Sequence, residues 1–181
     1  ASGKGSSVED LDANLESTIS SFTFKGYEFR NIDIEGELAD GRGPVNLFYQ
    51  DPNLEMETQT QIALDSVSPS LDFTVYLDGA DLGELGITQK SIKTGFVLEG
   101  WFEGNSEKYE TQAEIIDGVA VYNNKTYLLG SFDASAYVRP DSTSVRVDNR
   151  VINLVLQSNA DPVAFTAAIN RHFKRYITEN Y

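Results

Sequence analysis

His172 is the only histidine in the chain, and it is the first residue to weigh as an acid, a base or a metal ligand. At helical spacing its neighbours are Phe165, Ile169, Phe173 and Tyr176. None of them relays a proton or holds a metal, so a packing role fits. Asp78, Asp81 and Glu84 bracket Gly79 and Gly83 and loosely suggest a calcium loop. An EF-hand loop needs oxygens at positions 1, 3 and 5 and a glycine at 6. The run Asp78-Gly79-Ala80-Asp81 does not supply that spacing, and it reads as a polar turn. The serines lack the Gly-x-Ser-x-Gly elbow, and no phosphate loop or dinucleotide fingerprint occurs. The chain has no cysteine, which excludes thiol catalysis, Cys-bound zinc, iron–sulfur clusters and disulfides. Asn124-Lys125-Thr126 is a glycosylation sequon, relevant only in a eukaryotic secretory pathway. The other carboxylates alternate with apolar residues, as on a solvated sheet face. They do not pair as an acid and a base would. The residues therefore read as non-catalytic, with no metal and no cofactor.

The formal net charge of −14 repels phosphate backbones, so nucleic acid is not an expected partner. Hydrophobic residues make up 40% of the chain and aromatics 11%, enough to fold without a disulfide or metal. No apolar run approaches the ~18 residues of a membrane-spanning helix, and no signal peptide is visible. Residues 1–10 open on small polar residues and read as a linker, a processed end or a remnant of cloning. These features suit an oxidising or extracytoplasmic compartment.

The elements that would position any function follow from an alternation of period two. Leu54, Met56, Ile62 and Leu64 share one side of a run whose other side holds Glu55, Glu57, Gln59 and Gln61. Leu71, Phe73, Val75 and Leu77 stand opposite Asp72, Thr74, Tyr76 and Asp78. Ile92, Phe96, Leu98 and Phe102 form a third apolar side, with Val97 and Trp101 on the reverse. Ile32, Ile34 and Leu38 alternate with acids in an earlier run, and Val45, Leu47 and Tyr49 follow a Gly-Arg-Gly-Pro turn. Phe132 and Val138, then Val145 and Val147, then Ile152, Leu154 and Leu156 close the series. Successive side chains of a strand point to opposite faces, so each run predicts a strand with one apolar side. A phase change between Ile19 and Phe22 predicts a bulge or a break.

Ala39-Asp40-Gly41-Arg42-Gly43-Pro44, Asp51-Pro52-Asn53 and Asn123-Asn124-Lys125 are reversal chemistry. Asn123-Asn124 suits a tight hairpin. Gly79 to Gly86 reads as a loop or one helical turn, and Gly100 and Gly130 as bends within strands. Asp161-Pro162 starts one helix, with Phe165, Ile169, Phe173 and Tyr176 as its apolar stripe. The expected fold is mainly β: an antiparallel meander of about ten or eleven strands plus one C-terminal helix. Residues 11–160 form the sheet, and 161–178 form a helix packing on it or capping it. The apolar side must be covered by closure, by folding over, or by a ligand.

Three stretches taken in order resemble repeat segments of the TamB proteins, the translocation and assembly modules, which belong with the AsmA-like proteins. The long versions of Bacteroidetes-type bacteria are the most similar. The first stretch runs from Phe22-Thr23-Phe24-Lys25-Gly26-Tyr27 to Asn31-Ile32-Asp33-Ile34-Glu35-Gly36. The second is Asp51-Pro52-Asn53-Leu54-Glu55-Met56, followed by Ala80-Asp81-Leu82-Gly83-Glu84-Leu85-Gly86-Ile87. The third is the Asp161-Pro162 helix, ending His172-Phe173-Lys174-Arg175-Tyr176-Ile177. The resemblance implies a periplasmic segment of a protein anchored in the inner membrane. It implies a β-taco groove that conducts phospholipid acyl chains and serves outer-membrane biogenesis, with an outer-membrane barrel as partner of the full-length protein. The apolar sides above would line the groove, and Phe165, Ile169, Phe173 and Tyr176 would cap it.

The alternative is an extracellular, adhesin-like module that binds a protein or glycan through Trp101, Tyr76, Tyr109 and Tyr137. A slice of a longer sheet would also carry open edges, which favour a homo-oligomer.

Overall fold

The computed structural model describes residues 2–178; within the last helix, side chains are described for residues 163–172. The chain forms one antiparallel sheet of 11 strands in which every strand pairs with its sequence neighbours. The strands are β1 (Ser2–Lys4), β2 (Asp12–Phe24), β3 (Tyr27–Leu38), β4 (Arg42–Gln50), β5 (Leu54–Ala63) and β6 (Ser70–Asp81). They continue as β7 (Ile92–Gly104), β8 (Tyr109–Tyr122), β9 (Lys125–Arg139), β10 (Ser142–Asn149) and β11 (Asn153–Ser158). Helix α1 (Pro162–Thr178) follows. β1 and β11 do not pair, so the sheet is open.

Local chemistry accounts for the turns. Lys25-Gly26, Asp40-Gly41 and Asn123-Asn124 all have positive φ at both central residues. That is the type I′ geometry whose twist matches a hairpin. The β6–β7 connection contains the single helical turn: the Leu85 N–H donates to the Asp81 carbonyl at 3.0 Å. The Asp81 side chain caps it by accepting from the Gly83 N–H at 3.1 Å. Asp81 is thus a cap in a polar turn. The Asp10 carboxylate likewise accepts the Ser6 and Ser7 N–H groups, folding the chain back between β1 and β2. Residues 2–4 pair with residues 12–14, so part of the presumed linker is strand.

The phase change at Ile19 has a structural cause. Ile19 pairs with Ile32, and Ser21 and Phe22 with Arg30 and Phe29, while the level of Ser20 and Asn31 is unpaired and Asn31 adopts φ 56°. Both strands change phase together, so the register is kept. Further bulges lie at Asp78 in β6, beside Asp117 in β8 (φ 53°) and at Gly130 in β9 (φ 70°). Bulges bend a strand and sharpen its twist. Gly100 has a different role from the bend expected of it. A Cβ there would stand 2.7 Å from the Phe73 ring, so the missing side chain is the seat of that ring.

A compact protein of 20.0 kDa exposes roughly 8,700 Å². This chain exposes 12286 Å². The excess is that of a single layer whose faces are largely uncovered. The best-buried cluster is Ile32, Tyr49, Leu54, Leu77, Ala80 and Leu85, at one end of the sheet.

Gly41 sits in a left-handed turn (φ 68°), and a Cβ there would lie 2.3 Å from the Val8 carbonyl oxygen. Gly26 is also left-handed, with nothing within 4 Å of its Cβ position. We expect Gly26→Ala to cost about 1–2 kcal/mol, the strain of a left-handed backbone alone. Gly41→Ala should cost distinctly more. Urea denaturation of both variants checks the order.

Candidate functional site on the apolar face

Residues paired directly across strands share a face, so the register assembles the site. One row runs Ile34, Leu47, Thr58, Val75, Leu98, Ile115, Phe132 from β3 to β9. The next runs Phe73, Gly100, Ala113, Ala134, Val147, Leu154 from β6 to β11. A third runs Leu71, Phe102, Thr111, Ala136, Val145, Leu156. Met56 opposite Leu77, and Leu77 opposite Phe96, belong to the same face.

The residues expected to line a groove are thereby brought to one side. They differ in cover. Ile32, Leu54, Leu77 and Val138 are buried. Ile34, Leu38, Met56, Ile62, Leu64, Leu71, Phe73, Val75, Ile92, Phe96, Leu98, Phe102, Phe132, Val145, Val147 and Leu156 are half-buried. Leu64 and Ile152 lie just outside strands, and Ile152 and Leu154 are exposed.

The two ends of this face are covered. At one end the β6–β7 turn folds over it: Leu85 is buried, and Leu82 packs against the same cluster. The Gly86 position comes so close to the Lys25 carbonyl, in the β2–β3 hairpin, that a Cβ would stand 2.9 Å from it. A loop after β6 reaches the β2–β3 hairpin only if the intervening sheet curls, making the apolar side concave there. At the other end the chain entering α1 crosses Thr143 of β10, which pairs with Val138 of β9. The Thr143 hydroxyl donates to the Ala160 carbonyl at 3.1 Å, and Thr143 and Val138 are buried. Asp161 caps α1 by accepting the Val163 and Ala164 N–H groups at 2.9 Å. Phe165 and Ile169 are half-buried and His172 is exposed; the side chains of Phe173 and Tyr176 lie outside the described residues. Between the covered ends, no described element lies over Val75, Leu98, Ile115, Phe73, Ala113, Ala134 or Val147.

A polar network locks the covered end. The Tyr27 and Tyr49 hydroxyls both donate to one oxygen of Asp51, the latter at 2.6 Å. The other oxygen accepts the Asn53 and Leu54 N–H groups, each at 2.8 Å. Burial alone would raise the Asp51 carboxyl, but these four donors outweigh it and hold the group below its ordinary range. Burial first, and the Asp51 bond second, push the Tyr49 phenol up to about 12. The Tyr27 and Phe29 rings meet at 5.0 Å, and Phe29 and Tyr49 at 5.4 Å.

Tyr27, Phe29, Leu82 and Leu85 join the apolar cluster although strand alternation does not mark them. Leu82-x-x-Leu85 at one-turn spacing was the available signal.

The opposite face is polar. Glu99, Glu114, Asp133 and Asp148 stand directly opposite one another on successive strands. Trp101, Tyr76 and Tyr137 lie on this side, whereas Tyr109 stacks on Phe102 of the apolar side at 5.5 Å. A depression of about 660 Å³ surrounds Trp101 with Asn46, Gln59, Gln61, Asp72, Glu99, Gln112 and Glu114. An apolar patch of Val97, Ile116, Val119 and the exposed Leu128 interrupts the polar face beyond it. Among the described residues no cluster of His, Cys, Asp and Glu could hold a metal, and no helix is long and apolar enough to cross a membrane.

Fold and face define an open, single-layer β-sheet protein with one apolar and one polar side. Compared with known proteins, the chain matches no family model, no curated protein and no solved structure.

We expect Asp51→Asn to lower stability by about 1.5–3 kcal/mol, the worth of hydrogen bonds to a charged group. Because the folded Asp51 pKa is lowered, its contribution is complete above the unfolded value of ~4 and lost as pH falls through the folded one. Tyr49 acts at the other extreme. Its contribution is complete below the unfolded value of 10.0 and lost as pH rises towards about 12. Urea midpoints against pH should fall at both limits, and Asp51→Asn should flatten the acid limb.

Proposed function

We propose that this chain is a segment of a periplasmic TamB/AsmA-like protein whose apolar β-groove conducts phospholipid between inner and outer membrane. The parent protein would be anchored in the inner membrane and would serve outer-membrane biogenesis, with an outer-membrane barrel as partner of the full-length protein. The observation that carries this reading is the continuous apolar face, closed off at its ends and uncovered in its middle. At about 4.8 Å between strands, the row from β3 to β9 spans roughly 29 Å along the sheet. An acyl chain occupies about half of a 30 Å hydrocarbon core, so one fits across several strands. Each Å² of apolar surface it covers contributes about 25 cal/mol. Acyl chains carry no hydrogen-bonding information, and generic Ile, Leu, Val and Phe suffice to hold them. The groove does no chemistry and needs no cofactor.

The depression around Trp101 favours a second reading. One indole among amides and carboxylates suits a glycan, as expected of an extracellular module.

Organic extraction and mass spectrometry of the purified protein, with uptake of a fluorescent phospholipid, separate the two. Lipid at a reproducible ratio supports the groove. Protein that is lipid-free and takes up no added phospholipid supports the glycan module. We expect Phe73→Asp and Leu98→Asp each to weaken uptake at least about tenfold, or 1.4 kcal/mol, with circular dichroism confirming the fold. Gln59→Lys, on the polar face, should leave uptake unchanged. Equal uptake by folded Phe73→Asp and Leu98→Asp proteins would remove those residues from the groove.

A further inference from the structure

The two edges of the sheet each present an uncharged stretch. β1 pairs only with residues 12–14, so the outer edge of β2 from Leu15 to Phe24 faces no described strand. No described strand pairs with the outer edge of β11 either. From Ser17 to Phe24 the sequence is Ser-Thr-Ile-Ser-Ser-Phe-Thr-Phe, and β11 is Asn-Leu-Val-Leu-Gln-Ser. Neither stretch contains a charge, a proline or a glycine; the charges of β2, Asp12 and Glu16, lie before it, and every strand from β3 to β10 carries charged residues. Exposed edges are ordinarily blunted with lysine, proline or bulged irregularity, because their free N–H and C=O groups template further pairing. Here the edges are bare, and their apolar side chains stand out: Phe22 is 52% exposed and Leu154 40%.

The geometry fits one edge to the other. Strands alternate in direction through the meander, so β2 and β11 run oppositely. A second copy set beside the first in the same orientation brings β11 of one against β2 of the next, antiparallel. Their apolar faces then lie on the same side, Leu154 and Leu156 continuing the level of Phe24 and Phe22, which lie two residues apart beyond the phase change of β2. The six residues of β11 fit within the free stretch of β2. We infer that this chain associates head-to-tail by β-augmentation, β11 of one copy adding to β2 of the next and extending the apolar face. Such a heterologous contact does not close on itself, so it yields a series of species and not a single dimer. The inference rests on the edges and stands or falls apart from lipid conduction.

Two variants test it. Thr18→Lys/Thr23→Lys charges the β2 edge, with each lysine facing Asp33 or Glu28 on β3. Asn153→Lys/Gln157→Lys charges the β11 edge, facing Asp148 and Ser144 on β10. All four positions are exposed, so the fold should hold, as circular dichroism will verify. In sedimentation velocity we expect the unaltered chain to form a concentration-dependent series beyond the dimer. Each variant alone should be monomeric, and their equimolar mixture should stop at a heterodimer, because one free β11 then meets one free β2. A monomeric unaltered chain, a variant that still self-associates, or a mixture that stays monomeric overturns the inference. Amide exchange on the unaltered chain needs no variant. Residues 15–24 and 153–158 should exchange at least tenfold more slowly at high than at low concentration, and unchanged rates contradict the pairing.

Discussion

A strand's side chains alternate with every residue, so a slip of one position turns its whole apolar set towards water. The structure depends on this constraint being met at every pairing. Where an extra residue enters, it is matched or absorbed. Ser20 and Asn31 leave the ladder at the same level, and the single insertion at Asp78 serves both neighbours of β6. The rows from Ile34 to Phe132 and from Phe73 to Leu154 survive because of these devices. A meander with less exact register would mix its faces and bury acids such as Glu99 and Glu114.

A single layer still has too little to bury. The chain answers with local closures and no second sheet. The Leu82–Leu85 turn plugs one end, fixed by Asp51 and its two tyrosines. The chain entering α1 crosses Thr143 at the other. Both closures are short, and neither reaches the middle strands. Half-buried Phe73, Val75, Leu98 and Val147 are therefore held on a rigid frame without a partner of their own. An apolar surface so placed is either a binding surface or a liability.

Much of this was legible in the sequence. Period-two alternation marks β5, β6 and β7 residue by residue, and Asp40-Gly41 and Asn123-Asn124 announce their hairpins. Asp161-Pro162 announces the helix. The covered end is legible only in part: Leu82-x-x-Leu85 has the spacing of one helical turn, but the glycines around it equally read as a loop, and the burial of both leucines depends on the curl of strands β3 to β6. Gly100 misleads for a similar reason: its role is set by Phe73 on another strand. The pairing of residues 2–4 has no apolar signal at all. What a sequence pattern conveys is which side is apolar; which part of that side stays open is decided by long-range contacts.

The most direct test of the account places a photo-activatable residue at Leu98 or at Glu99 in the presence of phospholipid. These neighbours share a strand and point to opposite faces. The account predicts lipid adducts from position 98 and none from position 99. Equal labelling, or labelling from 99 alone, would contradict an acyl chain on the apolar middle of the sheet.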